Sequence, residues 1–254
     1  MKPKFKFIFP ILILVVAIGV WFAGSLKEKK AVPEKSRVLG ETKDTVPQTA
    51  SSWFLVPDSD RIVLYPNYQE KLTAQMAEGR YGCSSIVSGG FYSPENKPLG
   101  LVIAQNSKIA DFRNSDLFNA IYSINDFKTP RITRDIPQDE LRLALQAGPL
   151  LIENGIFQQL KLIRDEQARR LIVATTGDNQ TIFIVFYNPD SVYVGPSLVD
   201  LPDLLKQFEE DKNIKIADAM NLDGGTASVF NNGDINLPEA TLSGSFFCIL
   251  PGKS

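Results

Sequence analysis

Asn221-Leu222-Asp223-Gly224-Gly225 lies between the apolar-rich runs 216–220 and 227–230, and its reading decides what kind of sheet protein this is. Two successive residues without a Cβ let the backbone take positive φ and let another chain segment or a ligand approach closely. Asp223 would then stand at the rim of a sheet with its carboxylate displayed. The plainer reading is a hairpin, because Asp-Gly flanked by apolar runs is a strong short-range hairpin signal and requires no chemistry. Spacing alone favours the hairpin. The order of the other segments along the chain favours the displayed carboxylate.

Around that stretch the chain is punctuated into short apolar runs rich in Val, Ile and Phe, at 53–56, 61–65, 85–87, 99–104, 150–152, 171–175, 181–187, 217–222, 226–230 and 244–250. Gly, Pro, Asn or Asp bound most of them, which predicts strands. The clearest helix is 201–212, where Leu201, Leu204, Leu205 and Phe208 follow the i, i+3, i+4, i+7 pattern, Asp200 is placed to cap, and Pro202 sits in the first turn. Residues 68–78 and 138–146 are weaker helical candidates, and 178–179 and 231–234 read as hairpin turns. The fold class is α+β or mixed α/β: a single domain with a large mixed sheet and few helices, without an internal repeat.

Composition narrows the chemistry. The 254 residues, 44% of them hydrophobic, suffice for one packed domain plus appendages. A formal charge of -2 from 27 basic and 29 acidic side chains carries no polyanion-binding signature, so nucleic acid is not an expected partner. There is no histidine, which removes Ser-His-Asp and Cys-His catalysis and imidazole zinc sites. Cys83 and Cys248 are the only cysteines, too few for a four-thiolate metal site or an iron–sulfur cluster. Acid–base work falls to Asp, Glu, Lys, Tyr or the thiols, and carboxylates point to glycosyl transfer, hydrolysis or oxygen-ligated metals. No metal or other cofactor is assigned. One carboxylate at Asp223 is too little to place a cation.

Residues 7–24 form an apolar run interrupted only by Pro10, preceded by Lys2, Lys4 and Lys6 and followed by Lys27, Lys29 and Lys30. As a helix it reaches roughly 27 Å, close to the hydrocarbon thickness of a bilayer. We expect an N-terminal transmembrane signal anchor rather than a cleaved signal peptide, with a short cytoplasmic tail at 1–6, a flexible polar stalk at 25–52 and the folded domain at 53–254 on the extracytoplasmic side. Lysines flank both ends of the run, so charge alone does not orient it. Outside the cytoplasm Cys83 and Cys248 can pair; two separate buried thiols are the alternative.

Four further segments accompany Asn221 to Gly225. Ser88-Gly89-Gly90-Phe91-Tyr92 follows a short strand. Gly148-Pro149-Leu150-Leu151-Ile152-Glu153-Asn154-Gly155 sets a rigid turn before a strand and a polar turn after it. Arg169-Arg170 precedes another strand, and the amphipathic helix 201–212 leads into Asn221-Leu222-Asp223-Gly224-Gly225-Thr226-Ala227-Ser228. Taken singly, these are turns, strand punctuation and a surface charge pair. In this order they resemble the phosphodiester glycosidase family over roughly residues 85–230, with Asn-Leu-Asp-Gly-Gly the most specific part.

The resemblance implies a mixed α/β domain that hydrolyses the bond between a sugar anomeric carbon and a phosphodiester oxygen. It makes Asp223 the reacting carboxylate, as nucleophile or as base for water. Arg170, or Arg169 in the alternative register, becomes the phosphate-binding guanidinium. Asn221, Gly224, Gly225, Ser228, Ser88, Gly89 and Gly90 become substrate-binding positions, with Glu153 a candidate second carboxylate. Ser88 stands where the family usually has Asn, and Leu171-Ile172-Val173-Ala174 departs from the family's strand after its arginine. The implied partner is a carbohydrate or sugar phosphate. The rival reading is a non-catalytic domain of the same fold that binds a glycan or a cell-wall polymer.

Overall fold

The computed structural model describes residues 48–252. The expected cytoplasmic tail, the membrane segment 7–24 and the stalk up to residue 47 lie outside the described residues, and no described helix is long and apolar enough to cross a membrane. The described chain belongs to one compact unit, Thr45–Ser254.

The strands divide among three sheets in which every pairing is antiparallel, in place of the one large mixed sheet expected. The six-stranded sheet runs in the order β1 (Ala50–Val56), β12 (Thr181–Tyr187), β11 (Arg170–Thr176), β13 (Ile216–Asn221), β9 (Leu150–Glu153), β10 (Ile156–Phe157). A five-stranded sheet has the order β15 (Asn236–Leu237), β14 (Phe230–Asn231), β3 (Ser85–Ser88), β16 (Ser245–Ile249), β2 (Ile62–Pro66). The second five-stranded sheet has the order β5 (Ser107–Ala110), β4 (Val102–Ala104), β8 (Leu141–Ala147), β6 (Ala120–Asn125), β7 (Pro130–Thr133).

One apolar core is shared by all three sheets. Leu171, Val173, Phe183 and Val185 from the first, Leu64, Val87 and Phe247 from the second, and Tyr122, Leu143 and Leu145 from the third meet in it. The alternate residues of β11 and β12, namely Ile172, Ala174, Ile182, Ile184 and Phe186, face the other way and pack on α2 (Leu201–Lys212) through Leu201, Leu205 and Phe208. These strands are covered on both faces. That is why they read as unbroken apolar runs rather than alternating ones. α1 (Ala74–Tyr81) covers the outer face of the second sheet through Ala74 and Ala77 against Ile86 and Phe246.

Three local readings change. The helix expected at 138–146 is replaced by strand β8 from Leu141, because pairing with β4 and β6 on its two edges outweighs the helix propensity of Leu, Ala and Gln. The helix expected at 68–78 instead begins at Ala74, where the Thr73 side chain accepts from the Met76 N–H at 3.3 Å, and it ends on left-handed Gly82. Asp200 does not cap α2; its carboxylate accepts from the Ser197 N–H and hydroxyl one turn earlier.

Cys83 and Cys248 form a disulfide with a Cα separation of 5.2 Å. It joins Cys83, two residues before β3, to the adjacent buried strand β16, across 165 residues of sequence. Such a closure is worth roughly 2–5 kcal/mol, largely through the unfolded chain. Replacing both cysteines by serine should therefore lower the melting temperature clearly, by the same amount as reduction with a thiol. Identical melting curves with and without reductant would reject a stabilising bridge.

Candidate active site

The Asn221-to-Gly225 stretch is not a hairpin. β13 belongs to the six-stranded sheet and β14 to a five-stranded one, so the stretch is where the chain crosses between sheets. Its backbone is bonded residue by residue to the other motif segments. The Asn221 N–H donates to Pro149 O (3.0 Å), Leu222 to Leu171 O (2.8 Å), Asp223 to Gly89 O (3.0 Å) and Gly225 to Arg169 O (2.9 Å). Gly89 in turn donates to Ser245 O at 2.9 Å.

The two glycines have distinct tasks. A Cβ on Gly224 would stand 2.3 Å from Arg169 O, so no side chain fits there without moving backbone. Gly225 sits at φ +62, in the left-handed region. Gly89 and Gly90 are similarly tight, a Cβ on the first lying 2.3 Å from Ser245 Oγ and one on the second 3.2 Å from Gln146 O.

Asp223, Asn221, Gly224 and Gly225 line a cleft of 280 Å³, bounded on its other sides by Phe91, Leu117, Gly148, Arg164 to Glu166, Ala168, Arg170 and Leu198. Burial pushes the Asp223 carboxyl from its ordinary 3.8 up to about 7, against the opposing pull of a hydrogen bond from the Gly224 backbone. Desolvation disfavours the charged form and no cation compensates it. The Tyr68 and Tyr92 rings both crowd the position a Gly244 Cβ would take, and burial, helped by the charge of Asp223, raises the pKa of both. For Tyr68, pushed up to about 12, burial is the larger cause. Its buried hydroxyl has no hydrogen-bond partner of good geometry, although Ser245 lies close enough to lower its pKa slightly.

Asn221 donates from Nδ2 to Gly148 O (3.1 Å) and Leu222 O (2.7 Å), while its buried Oδ1 has no partner. Asn221 and Asp223, both on the cleft wall, set an amide side chain beside a carboxyl held near neutrality. That pair suits a ligand with hydroxyl groups.

The two adjacent arginines point to opposite faces of the sheet, as the period of two requires. Arg169 is fully buried on the core side and does not line the cleft. Its Nε donates to Ser228 Oγ at 2.8 Å, and its Nη2 donates to Ser228 O and to Pro238 O at 2.9 Å, with Tyr193 stacked 5.1 Å beneath. Burial lowers its pKa to about 10. Ser228 also donates to Gly225 O at 2.7 Å, so Arg169 and Ser228 together clamp the turn that carries Asp223.

Arg170 does line the cleft. Its Nε donates to Pro196 O at 3.0 Å, and its Nη2 donates to Glu166 O and approaches Asp165 at 3.4 Å. Burial lowers its pKa, and Asp165 opposes that shift.

The remaining sequence candidates are apart from the cleft. Ser88 is buried under the crossing, its hydroxyl accepting from the Val229 N–H at 2.7 Å and lying 2.8 Å from Ser243 Oγ. Glu153 sits in a different cleft, of 580 Å³, where Arg134 holds it bidentately, Nε to Oε1 and Nη2 to Oε2 both at 2.9 Å. Sequence reading missed Arg164 and the Asp165–Glu166 pair, which carry no motif, and Tyr68, which does not line the cleft and is tied to it only through the charge of Asp223. Among the described residues no group of three or more Asp, Glu, Cys or His is placed to hold a metal.

Comparison with known proteins follows the same outline. The family model described as phosphodiester glycosidase matches residues 81–244. The structure is similar to the catalytic domain of zebrafish N-acetylglucosamine-1-phosphodiester alpha-N-acetylglucosaminidase, auto-inhibited by its pro-peptide, with a TM-score of 0.59 and 14% identity, covering 82% of this chain and 85% of that one. A hypothetical protein from Synechocystis is similar at a TM-score of 0.50 and 16% identity, over 82% of this chain and 60% of that one. At these identities the likeness is one of fold. No curated protein sequence matches significantly.

Two outcomes follow from the geometry. Folding raises the Asp223 pKa, so the folded protein holds a proton that the unfolded chain releases above 3.8. The stability this contributes is fully present below that value and is lost as pH rises to about 7. Asp223→Asn should therefore melt higher than the parent by a margin that grows from pH 4 to pH 8; a constant margin would place the carboxyl in open solvent. Arg169→Gln strands several buried carbonyls and should cost about 3 kcal/mol in urea unfolding, whereas a surface role predicts a change near zero.

Proposed function

The chain belongs to the phosphodiester glycosidase family, and from that premise we propose that it hydrolyses a sugar-1-phosphodiester, with Asp223 as the reacting carboxylate. The observation that carries this reading is the placement of Asp223: a carboxyl held near neutral pH in a cleft, on a turn whose geometry the buried Arg169 maintains. Ionised Asp223 attacks the anomeric carbon to form a glycosyl ester that water then hydrolyses, or takes a proton from a water that attacks the carbon directly. The carbon–oxygen bond breaks, and the electron pair leaves on a phosphate oxygen. The products are the free sugar and a phosphate monoester.

Phosphate is a far weaker base than a sugar hydroxyl, so its departure needs less help from a general acid. That suits a cleft in which Glu153 plays no part. Asn221 lines the cleft beside Asp223 as a polar side chain for the sugar. Positive charge in the cleft wall stabilises the leaving oxygen.

We place the domain outside the cytoplasm on an N-terminal anchor at 7–24. The apolar length of that run and the Cys83–Cys248 bridge support this, since disulfides persist in oxidising compartments. The second reading, a glycan-binding domain without turnover, is favoured by one observation. Arg169 Nε and Nη2 and Arg170 Nε and Nη2 are bound within the protein rather than open to a phosphate.

The test is sugar release by residues 45–254 from a panel of sugar-1-phosphodiesters beside folded Asp223→Asn. Hydrolysis by the parent, with a loss of roughly a thousand-fold or more in the variant, supports the enzyme. Its kcat/KM should rise with pH through about 7, the carboxyl's pKa, because the ionised form reacts. Binding of the same compounds without turnover selects the glycan-binding reading.

A further inference from the structure

Resting on the hydrolase reading above, we infer that Arg164, rather than Arg169 or Arg170, is the guanidinium that contacts the phosphate of the substrate and sets the preference for a phosphorylated anomeric position. Two arginines line the cleft with Asp223, Arg164 and Arg170. Arg170 is one-tenth exposed, and its Nε and Nη2 are taken by Pro196 O, Glu166 O and Asp165. Arg164 is exposed and, among the described residues, makes no hydrogen bond and no ion pair. A guanidinium with its whole fork open matches the paired oxygens of a phosphodiester, and here it stands on the wall of the cleft that holds the reacting carboxyl.

The loop that carries Arg164 is anchored at the next residue. Asp165 accepts from the backbone N–H groups of Leu198 (2.8 Å) and Val199 (2.9 Å) and pairs with Arg170 at 3.4 Å. Arg170 also binds Glu166 O. It thus acts as a positioning residue: it fixes the backbone on the C-terminal side of Arg164 and balances the charge of Asp165 beside the cleft. Arg164 is left as the cleft's uncommitted cation, tethered one residue from a fixed point. Its exposure also means that its removal leaves no buried group unpaired, so the variant folds.

The experiment is titration of the full-length protein, in detergent, with inorganic phosphate and with glucose 1-phosphate, for the parent, Arg164→Gln, Arg164→Lys and, as a charge-matched control in the other cleft, Arg134→Gln. Loss of a charge-assisted fork should weaken binding roughly ten- to a hundred-fold in Arg164→Gln, with Arg164→Lys intermediate and Arg134→Gln like the parent. Equal affinity in parent and Arg164→Gln, or no binding of either probe by the parent, overturns the inference. Turnover of the phosphodiester panel is scored separately. Arg164-dependent phosphate binding without turnover keeps the phosphate contact and removes the hydrolase reading; turnover with kcat/KM unchanged in Arg164→Gln keeps the hydrolase and removes the contact.

Discussion

The structure around the site depends on one guanidinium buried in a place without a carboxylate partner. Arg169 is held by the carbonyls of Ser228 and Pro238 and by the Ser228 hydroxyl. A charge in that position is costly, and the carbonyls and hydroxyl that meet Nε and Nη2 offset only part of the cost, because Nη1 is buried without a partner. In exchange the crossing from β13 to β14 has a single geometry. The carbonyl of the same residue accepts from the Gly225 N–H. One residue therefore secures the turn through both its side chain and its main chain.

That anchoring places a reactive group at a junction of sheets rather than on a flexible loop. Asp223 is joined to Gly89 of another sheet through its own N–H, and its neighbours at 221 and 222 are bonded to the starts of β9 and β11. Displacing the carboxyl would disturb three segments together. The raised pKa of Asp223 follows from the same placement: burial disfavours the charged carboxylate, and protonation removes that cost.

Legibility in the sequence followed the range of the interactions. Helix 201–212 and the strands at 171–175 and 181–187 were readable because period and punctuation are local properties, and these segments satisfy them on their own. Residues 138–146 were misread as helical because Leu, Ala and Gln favour helix wherever no strand lies alongside, and the strands alongside come from residues 102–104 and 120–125. Asp223 was legible through its glycines. The division of labour between Arg169 and Arg170 was not, since it follows from which face of β11 each one takes and from the carbonyls waiting there. Glu153 stood in a promising motif, yet the strand it ends delivers it to Arg134 and another cleft.

The absent side chain at Gly224 has a consequence of its own. A Cβ at that point would collide with the carbonyl of Arg169 whether or not any substrate ever entered the cleft. The pair Gly224-Gly225 is therefore demanded by the sheet crossing, and a descendant that had abandoned catalysis would still have to keep it. In a protein of this architecture the glycines are a signature of how the chain is folded. The acid in front of them is a letter of the motif that the fold itself does not demand.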